Sequence, residues 1–206
     1  MDPLPALPVP AGESPFHIKG IAVQGFREFF AKRVPGGVRT VAERLTDPGI
    51  RAFFEQPFLD ASWYDFLPFL HVMGAGAAVM GISTAQFVHE QSSWQLAHDV
   101  RTVHKILLMA PSPEAVAPRL GAGVARYFDF VDAKTVSVAK GEVIMAVAGL
   151  PALLLNWYKV SVQAGANVVL EIAGAKNIQA AYTAPEPDGS KAGIPLVRFQ
   201  VRRSWT

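Results

Sequence analysis

The sequence predicts an α+β fold: an N-terminal helical part, then two antiparallel β-hairpins that flank a long amphipathic helix. Three observations point there. Up to about residue 130, apolar residues recur at helical spacing. From Asp132 the pattern changes to alternation in segments rich in Val and Ile, which is the mark of strands. A helical period returns over 150–172, and alternation resumes at the C-terminal end. Helices first and strands later place the chain in the α+β class, with a mostly antiparallel sheet.

Each element has its own signals. The opening MDPLPALPVPAGESP carries five prolines, so residues 1–15 are expected to be a Pro-rich disordered tail ahead of a single α+β domain over 16–206. In FHIKGIAVQGFREFFAKR, 16–33, Ile21, Phe26, Phe29 and Phe30 share one helical face, and VPGG breaks it. Val38, Val41 and Leu45, then Ile50, Phe53 and Phe54 beyond the Asp47-Pro48-Gly49 turn, predict two short helices. A turn at Pro57 precedes a helix ending near Gly81, with Ser62 or Asp65 as its cap and a small-residue run at 74–78 that lets another backbone come close. Trp63 and Tyr64 beside that turn are read as a loop cap over the core. Ser83 or Thr84 caps a long helix running to about Met109, and Ser112 before Pro113 starts the next.

KTVSVAKGEVIMAVAG turns about Lys140-Gly141 as a hairpin. Over 150–172, Leu150, Leu154, Trp157, Tyr158, Val169 and Ile172 line one face, opposite Asn156, Lys159, Gln163, Asn167 and Glu171. Gly174 ends that helix. NIQAAYTA, a PEPDGSKAG loop and IPLVRFQVRRSW then form the second hairpin, in which Val197, Phe199 and Val201 alternate with Arg198, Gln200 and Arg202. Arg198, Arg202 and Arg203 with Trp205 could bind an anion or acidic partner, but a solvated basic strand face is the plainer reading and the one expected.

Composition narrows the function. Of the 206 residues 50% are hydrophobic and 17% charged, which suits a large core and an apolar face for association, so a homo-oligomer is expected. A net charge of +2 is too small to predict a nucleic-acid partner. The absence of Cys excludes disulfides, thiolate zinc sites, c-type haem attachment and a cysteine nucleophile. The polar stripe of 150–172 argues against a transmembrane segment, and the acidic, Pro-rich start does not fit a signal peptide; a cytoplasmic protein is expected. There is no G-x-S-x-G and no phosphate loop, and MGAGAAVMG lacks the third Gly of a dinucleotide fingerprint.

The element order resembles the superfamily that contains the haem nitric oxide/oxygen binding (H-NOX-like) domains, the four-vinyl-reductase-type small-molecule domains and the TRAPP vesicle-tethering subunits. IKGIAVQGFREFFAKRVPGGVRTVAERL looks like the opening of the haem-binding members, and AGLPALLLNWYKV looks like their helix between the hairpins. The likeness covers residues 18–205 and implies an internal ligand pocket. In the haem-binding members a Tyr-x-Ser-x-Arg on the first hairpin grips the haem propionates, and a His on the helix before it binds the iron. KTVSVAKGE keeps Ser137 but has neither the Tyr nor the Arg, and Lys140 is a weak substitute. EAVAPRLGAGVARYFDF has no His, with Arg126 and Tyr127 in that region. The resemblance therefore implies the fold while arguing against an inherited haem site.

FVHEQSSWQLAHDVRTVHK, 87–105, holds three of the five histidines. At about 100° per residue, His89 falls at the centre of the stripe of Leu96, Val100, Val103 and Leu107, His104 at its edge and His98 opposite. None of these pairs is spaced i, i+4, and His89 to His104 spans on the order of 22 Å, which disfavours one shared metal. A single axial His suffices for b-type haem, so His89, His104 and His71 are the candidates; the plainer role for each is a hydrogen-bonded core residue. Trp94, Tyr127 and Trp157 are the candidates for a ligand pocket, with core packing as the alternative. The function expected is a non-enzymatic ligand-binding or sensory domain holding a small apolar molecule or b-type haem. A homodimeric scaffold using 71–81 or 150–172 is the alternative, and an enzyme comes third.

Overall fold

The computed structural model describes residues 6–102 and 112–206, which group into two compact units. Of the described residues, those up to Gln91 with Tyr127–Asp129 form the first, and those of Ser92–Arg126 with Phe130–Thr206 form the second. Among the described residues, no single helix is long and apolar enough to cross a membrane.

The first unit contains β1 (His17–Lys19), α1 (Gly20–Arg33), α2 (Gly37–Arg44), α3 (Pro48–Glu55), β2 (Trp63–Asp65), α4 (Pro68–Met80) and the start of α5 (Thr84–Thr102). Local chemistry explains the boundaries. Asp47 caps α3 by accepting from the Gly49 and Ile50 amides, with Pro48 at the first helical position. The Ser83 hydroxyl accepts from Gln86 N at the head of α5. The core is a phenylalanine cluster: Phe29 meets Phe87 edge-on at 5.5 Å, and Phe30 meets Phe54 edge-on at 5.9 Å. A Cβ on Gly76 of α4 would lie 2.7 Å from the Phe87 ring, so the small-residue run serves this core.

β1 and β2 were not legible as strands. They pair antiparallel, with His17 opposite Asp65, Ile18 opposite Tyr64 and Lys19 opposite Trp63. The helical period of 16–33 extends back through His17–Lys19, but pairing with a distant segment overrides local preference there. The cap expected from Ser62 or Asp65 is also different: Leu67 occupies the N-cap position of α4, and Asp65 accepts from the Leu67 amide at 2.9 Å. The expected end of α5 near Met109 lies outside the described residues.

The second unit contains the rest of α5, α6 (Pro113–Val116), most of α7 (Leu120–Tyr127), β3 (Asp132–Ala139), β4 (Glu142–Pro151), α8 (Leu155–Ile172), β5 (Gln179–Tyr182), β6 (Glu186–Lys191) and β7 (Ile194–Ser204). Ser112 caps α6 through the Ala115 amide. The strands make an antiparallel sheet in the order β3-β4-β7, with β5 and β6 following one another along the far edge of β7. Leu150, expected in the long helix, remains in β4 opposite Val197, so α8 begins at Leu155. The expected PEPDGSKAG loop is largely strand β6, in which Pro187 sits on a sheet edge, where a missing N–H costs little.

One face of the sheet is core: Val143, Met145, Val147, Phe199 and Val201 are all buried. Arg203 continues that series at 1% exposure and Trp205 follows at 8%, so neither lies on the expected basic outer face. Period-two alternation from Val197 carries straight through position 203 and turns the guanidinium inward. Arg198 and Arg202 do face out, paired with Glu186 and Glu142.

Candidate ligand sites

In the first unit, Asp65 organises the approach to a cleft. Its carboxylate, 3% exposed, accepts from Gly12 N at 2.9 Å, Ser14 N at 3.2 Å, Leu67 N at 2.9 Å and the Ser14 hydroxyl. These donors tie the segment before β1 onto the head of α4. A buried carboxylate is tolerated when hydrogen bonds replace its hydration, and here they do.

Beside Asp65, His17 is held by a residue far along the chain. Asp129 accepts from the His17 amide at 2.7 Å and meets the ring Nδ1 at 2.6 Å, while Ile18 bridges to Phe128. The carboxylate favours the tautomer that carries its proton on Nδ1, leaving Nε2 as an acceptor. His17 lines a cleft of about 470 Å³ with Phe53, Gln56, Trp63, Tyr64 and Asp65. Trp63 is 42% exposed, and Lys19 Nζ lies 4.5 Å from the centroid of its ring. The Tyr64 hydroxyl accepts from Leu59 N at 2.7 Å, which fixes its ring. The cleft thus offers flat aromatic surface beside one oriented imidazole. The Ser14 hydroxyl is committed to Asp65 and the Phe16 carbonyl, so it does not complete a nucleophilic arrangement with His17.

In the second unit, the inward face of the sheet holds Arg203. Its Nη1 is 3.6 Å from Met145 Sδ, and its buried Nε has no hydrogen-bond partner. Tyr158 and Tyr182 are its electrostatic neighbours. Burial pushes both phenols up from their usual range and pushes the guanidinium down. Nearby, Glu114 accepts from Gly141 N at 3.0 Å and from Trp205 Nε1 at 3.3 Å. Hydrogen bonding, first from the Gly141 amide, lowers its carboxyl pKa.

The residues singled out from sequence fall in different places. His71 is half-buried on α4, with Nε2 buried and without a hydrogen-bond partner. His89 is exposed, not inward, because the buried positions at the start of α5 are Phe87, Val88 and Gln91, which turn position 89 outward. His104 lies outside the described residues. Tyr127 is half-buried beside Phe128 in the first unit, whereas Trp94 and Trp157 belong to the second. Trp94 stacks on His98 at 5.6 Å, and Trp157 meets Tyr158 at 6.4 Å. A Ser92–Ser161 hydroxyl contact of 2.8 Å joins α5 to α8. His17, Asp129 and Asp65 carried no sequence signal as a group. Arg203 was expected on the solvated basic face with Arg198 and Arg202, and the structure turns it inward instead.

No family model matches the chain, and no curated protein matches it. Solved structures do. An oxygen-binding H-NOX domain related to soluble guanylate cyclases, in its oxygen complex, is 10% identical, covers 92% of this chain and 95% of its own, and superposes with a TM-score of 0.63. A mutant of the T. tengcongensis H-NOX is 11% identical, with coverages of 92% and 98% and a TM-score of 0.63. The Fe(II) unliganded H-NOX protein from K. algicida is 10% identical, with coverages of 91% and 97% and a TM-score of 0.56. The fold is therefore of the H-NOX type, as the element order implied.

The described residues do not supply a haem site of the kind the resemblance implies. β3 presents Thr135, Ser137 and Ala139 where a Tyr-x-Ser-x-Arg would stand, and Ser137 and Ala139 are exposed. α7 has no His; its Gly121 lies so close to β3 that a Cβ would be 2.0 Å from the Ala133 carbonyl oxygen.

Proposed function

We propose that this chain is a non-enzymatic ligand-binding or sensory domain, and that its small, partly apolar ligand occupies the cleft of the first unit. The observation that carries this reading is the cleft itself. Its volume of about 470 Å³ is that of a small-molecule site, and aromatic surface lies beside one oriented polar group. Phe53, Trp63 and Tyr64 would contact the ligand's flat apolar part. The His17 imidazole, oriented by Asp129, would accept a hydrogen bond from its polar end. The H-NOX-type fold supports a sensory role by likeness of architecture.

Burial of the two segments named for the scaffold alternative favours the ligand-binding reading over it. Within 71–81, the residues from Val72 to Ala77 are buried, and α8 buries Trp157, Tyr158, Ala164, Gly165, Ala166, Val169 and Leu170.

Native mass spectrometry of the purified chain tests the proposal. A retained small molecule is expected, lost in Trp63→Ala and weakened in His17→Ala, from a preparation without a Soret band. A Soret band that persists through purification would replace this reading with haem. A retained molecule indifferent to Trp63→Ala would move the ligand out of the cleft.

A further inference from the structure

Arg203 is the least satisfied charged group among the described residues. It is 1% exposed, its Nε lacks a hydrogen-bond partner, and the only acceptor near Nη1 is the weak thioether sulfur of Met145. A guanidinium loses strong hydration on burial, and an isolated buried cation is expensive unless an opposite charge or several acceptors replace the water. Every Asp and Glu of the chain except Asp2 lies among the described residues, and none pairs with Arg203. The two neighbouring tyrosines do not supply the charge, since burial keeps both phenols protonated at neutral pH. Among the described residues, the chain therefore supplies no negative charge to balance this guanidinium.

The surroundings narrow the class of anion that would balance it. Residues facing inward across the sheet run Val138, Val143, Arg203 and Ala180, one per strand from β3 to β5. Val143, Met145 and Val201 around the guanidinium are at most 2% exposed, so a multiply charged anion such as phosphate would bring more charge into an apolar setting than one guanidinium balances. A carboxylate brings one charge and matches the guanidinium fork. At the β3 edge the same row reaches solvent, with Val138 38% exposed. That edge lies two strands from Arg203, roughly 10 Å at the usual strand spacing. We propose that the second unit binds an apolar carboxylic acid, with its carboxylate on Arg203 and its hydrocarbon part directed toward the β3 edge. This site is additional to the cleft of the first unit and does not depend on it.

Calorimetric titration of the full chain with octanoate, octanol and inorganic phosphate tests the inference, using the wild type, Arg203→Met, Arg203→Lys and Trp63→Ala. Octanoate is expected to bind the wild type at least tenfold more tightly than octanol or phosphate. Arg203→Met should lose that preference, Arg203→Lys should keep part of it, and Trp63→Ala should keep all of it. Equal binding of octanoate and octanol, a preference for phosphate, or no binding of octanoate each overturns the proposal. So does an Arg203→Met protein with undiminished octanoate affinity. Should that variant fail to fold, the three ligands on the wild type decide alone. Loss of the cleft ligand in Trp63→Ala is read separately, so either site can fail without the other.

Discussion

Asp65 in the first unit and Arg203 in the second are ionisable side chains buried to 3% and 1% exposure, yet their surroundings are opposite. Asp65 receives three backbone amides and a serine hydroxyl. Arg203 has a thioether on one nitrogen and nothing on another. A buried charge fully replaced by internal hydrogen bonds acts as a structural clamp, and its removal loosens the chain it holds. A buried charge left without partners is a cost to the folded state until something arrives to neutralise it. The two units thus use buried charge for different ends, one to fix the polypeptide and the other to select a ligand.

The sharpest way to break the comparison is at Asp65. Asp65→Ala leaves the Gly12, Ser14 and Leu67 donors without their acceptor, and urea unfolding should show a loss of about 4 kcal/mol. A loss below about 1 kcal/mol would mean that water replaces the carboxylate and that the clamp is not structural. Limited proteolysis should then find the Gly12–Ser14 segment newly accessible in the variant.

Gly121→Ala perturbs the second unit without touching any charge. The added Cβ would meet the Ala133 carbonyl oxygen at 2.0 Å, which forces α7 and β3 apart. A destabilisation of about 2 to 3 kcal/mol by the same unfolding measurement is expected. It sets the scale for steric damage against which the charge variants are read.

Arg203→Met should move the other way. Without ligand, the variant is expected to be as stable as the wild type or more stable by about 1 to 2 kcal/mol, because an apolar side chain of similar length removes an uncompensated cation. A large loss of stability would show that the guanidinium is satisfied in the unliganded protein, and the contrast with Asp65 would disappear.

The smallest effect is one of pH at Glu114. Hydrogen bonds from Gly141 N and Trp205 Nε1 hold its carboxyl below the usual glutamate range. A group whose folded pKa is depressed contributes stability above its unfolded pKa and loses that contribution as pH falls through the folded value. Wild type and Glu114→Gln should therefore differ most in unfolding midpoint near neutral pH and converge in acid. Parallel pH profiles for the two proteins would contradict that coupling.

Much of the fold was legible because its signals are local. The Asp47-Pro48-Gly49 turn, the Ser112 cap before Pro113, the hairpin at Lys140-Gly141 and the helical period from Leu155 to Ile172 all depend on neighbours a few residues away. Errors arose where a long-range partner outweighed local preference. His17–Lys19 reads as part of a helix until β2 pairs with it, and Glu186–Lys191 reads as a loop until β7 pairs with it. His89 was placed by the stripe expected over the later part of α5, whereas the start of the helix is oriented by Phe87 and Val88.

The sequence by itself determined that helices come first and strands later, the caps at Ser83 and Ser112, and the hairpin turn at Lys140-Gly141. Only the tertiary structure decided that His17 meets Asp129, that Asp65 gathers Gly12 and Ser14, and that no carboxylate reaches Arg203 among the described residues. Periodicity records which way a side chain points, since that follows from backbone geometry over a few residues. Which groups then meet depends on how distant segments pack, and each such meeting is the outcome of many contacts that no local pattern encodes.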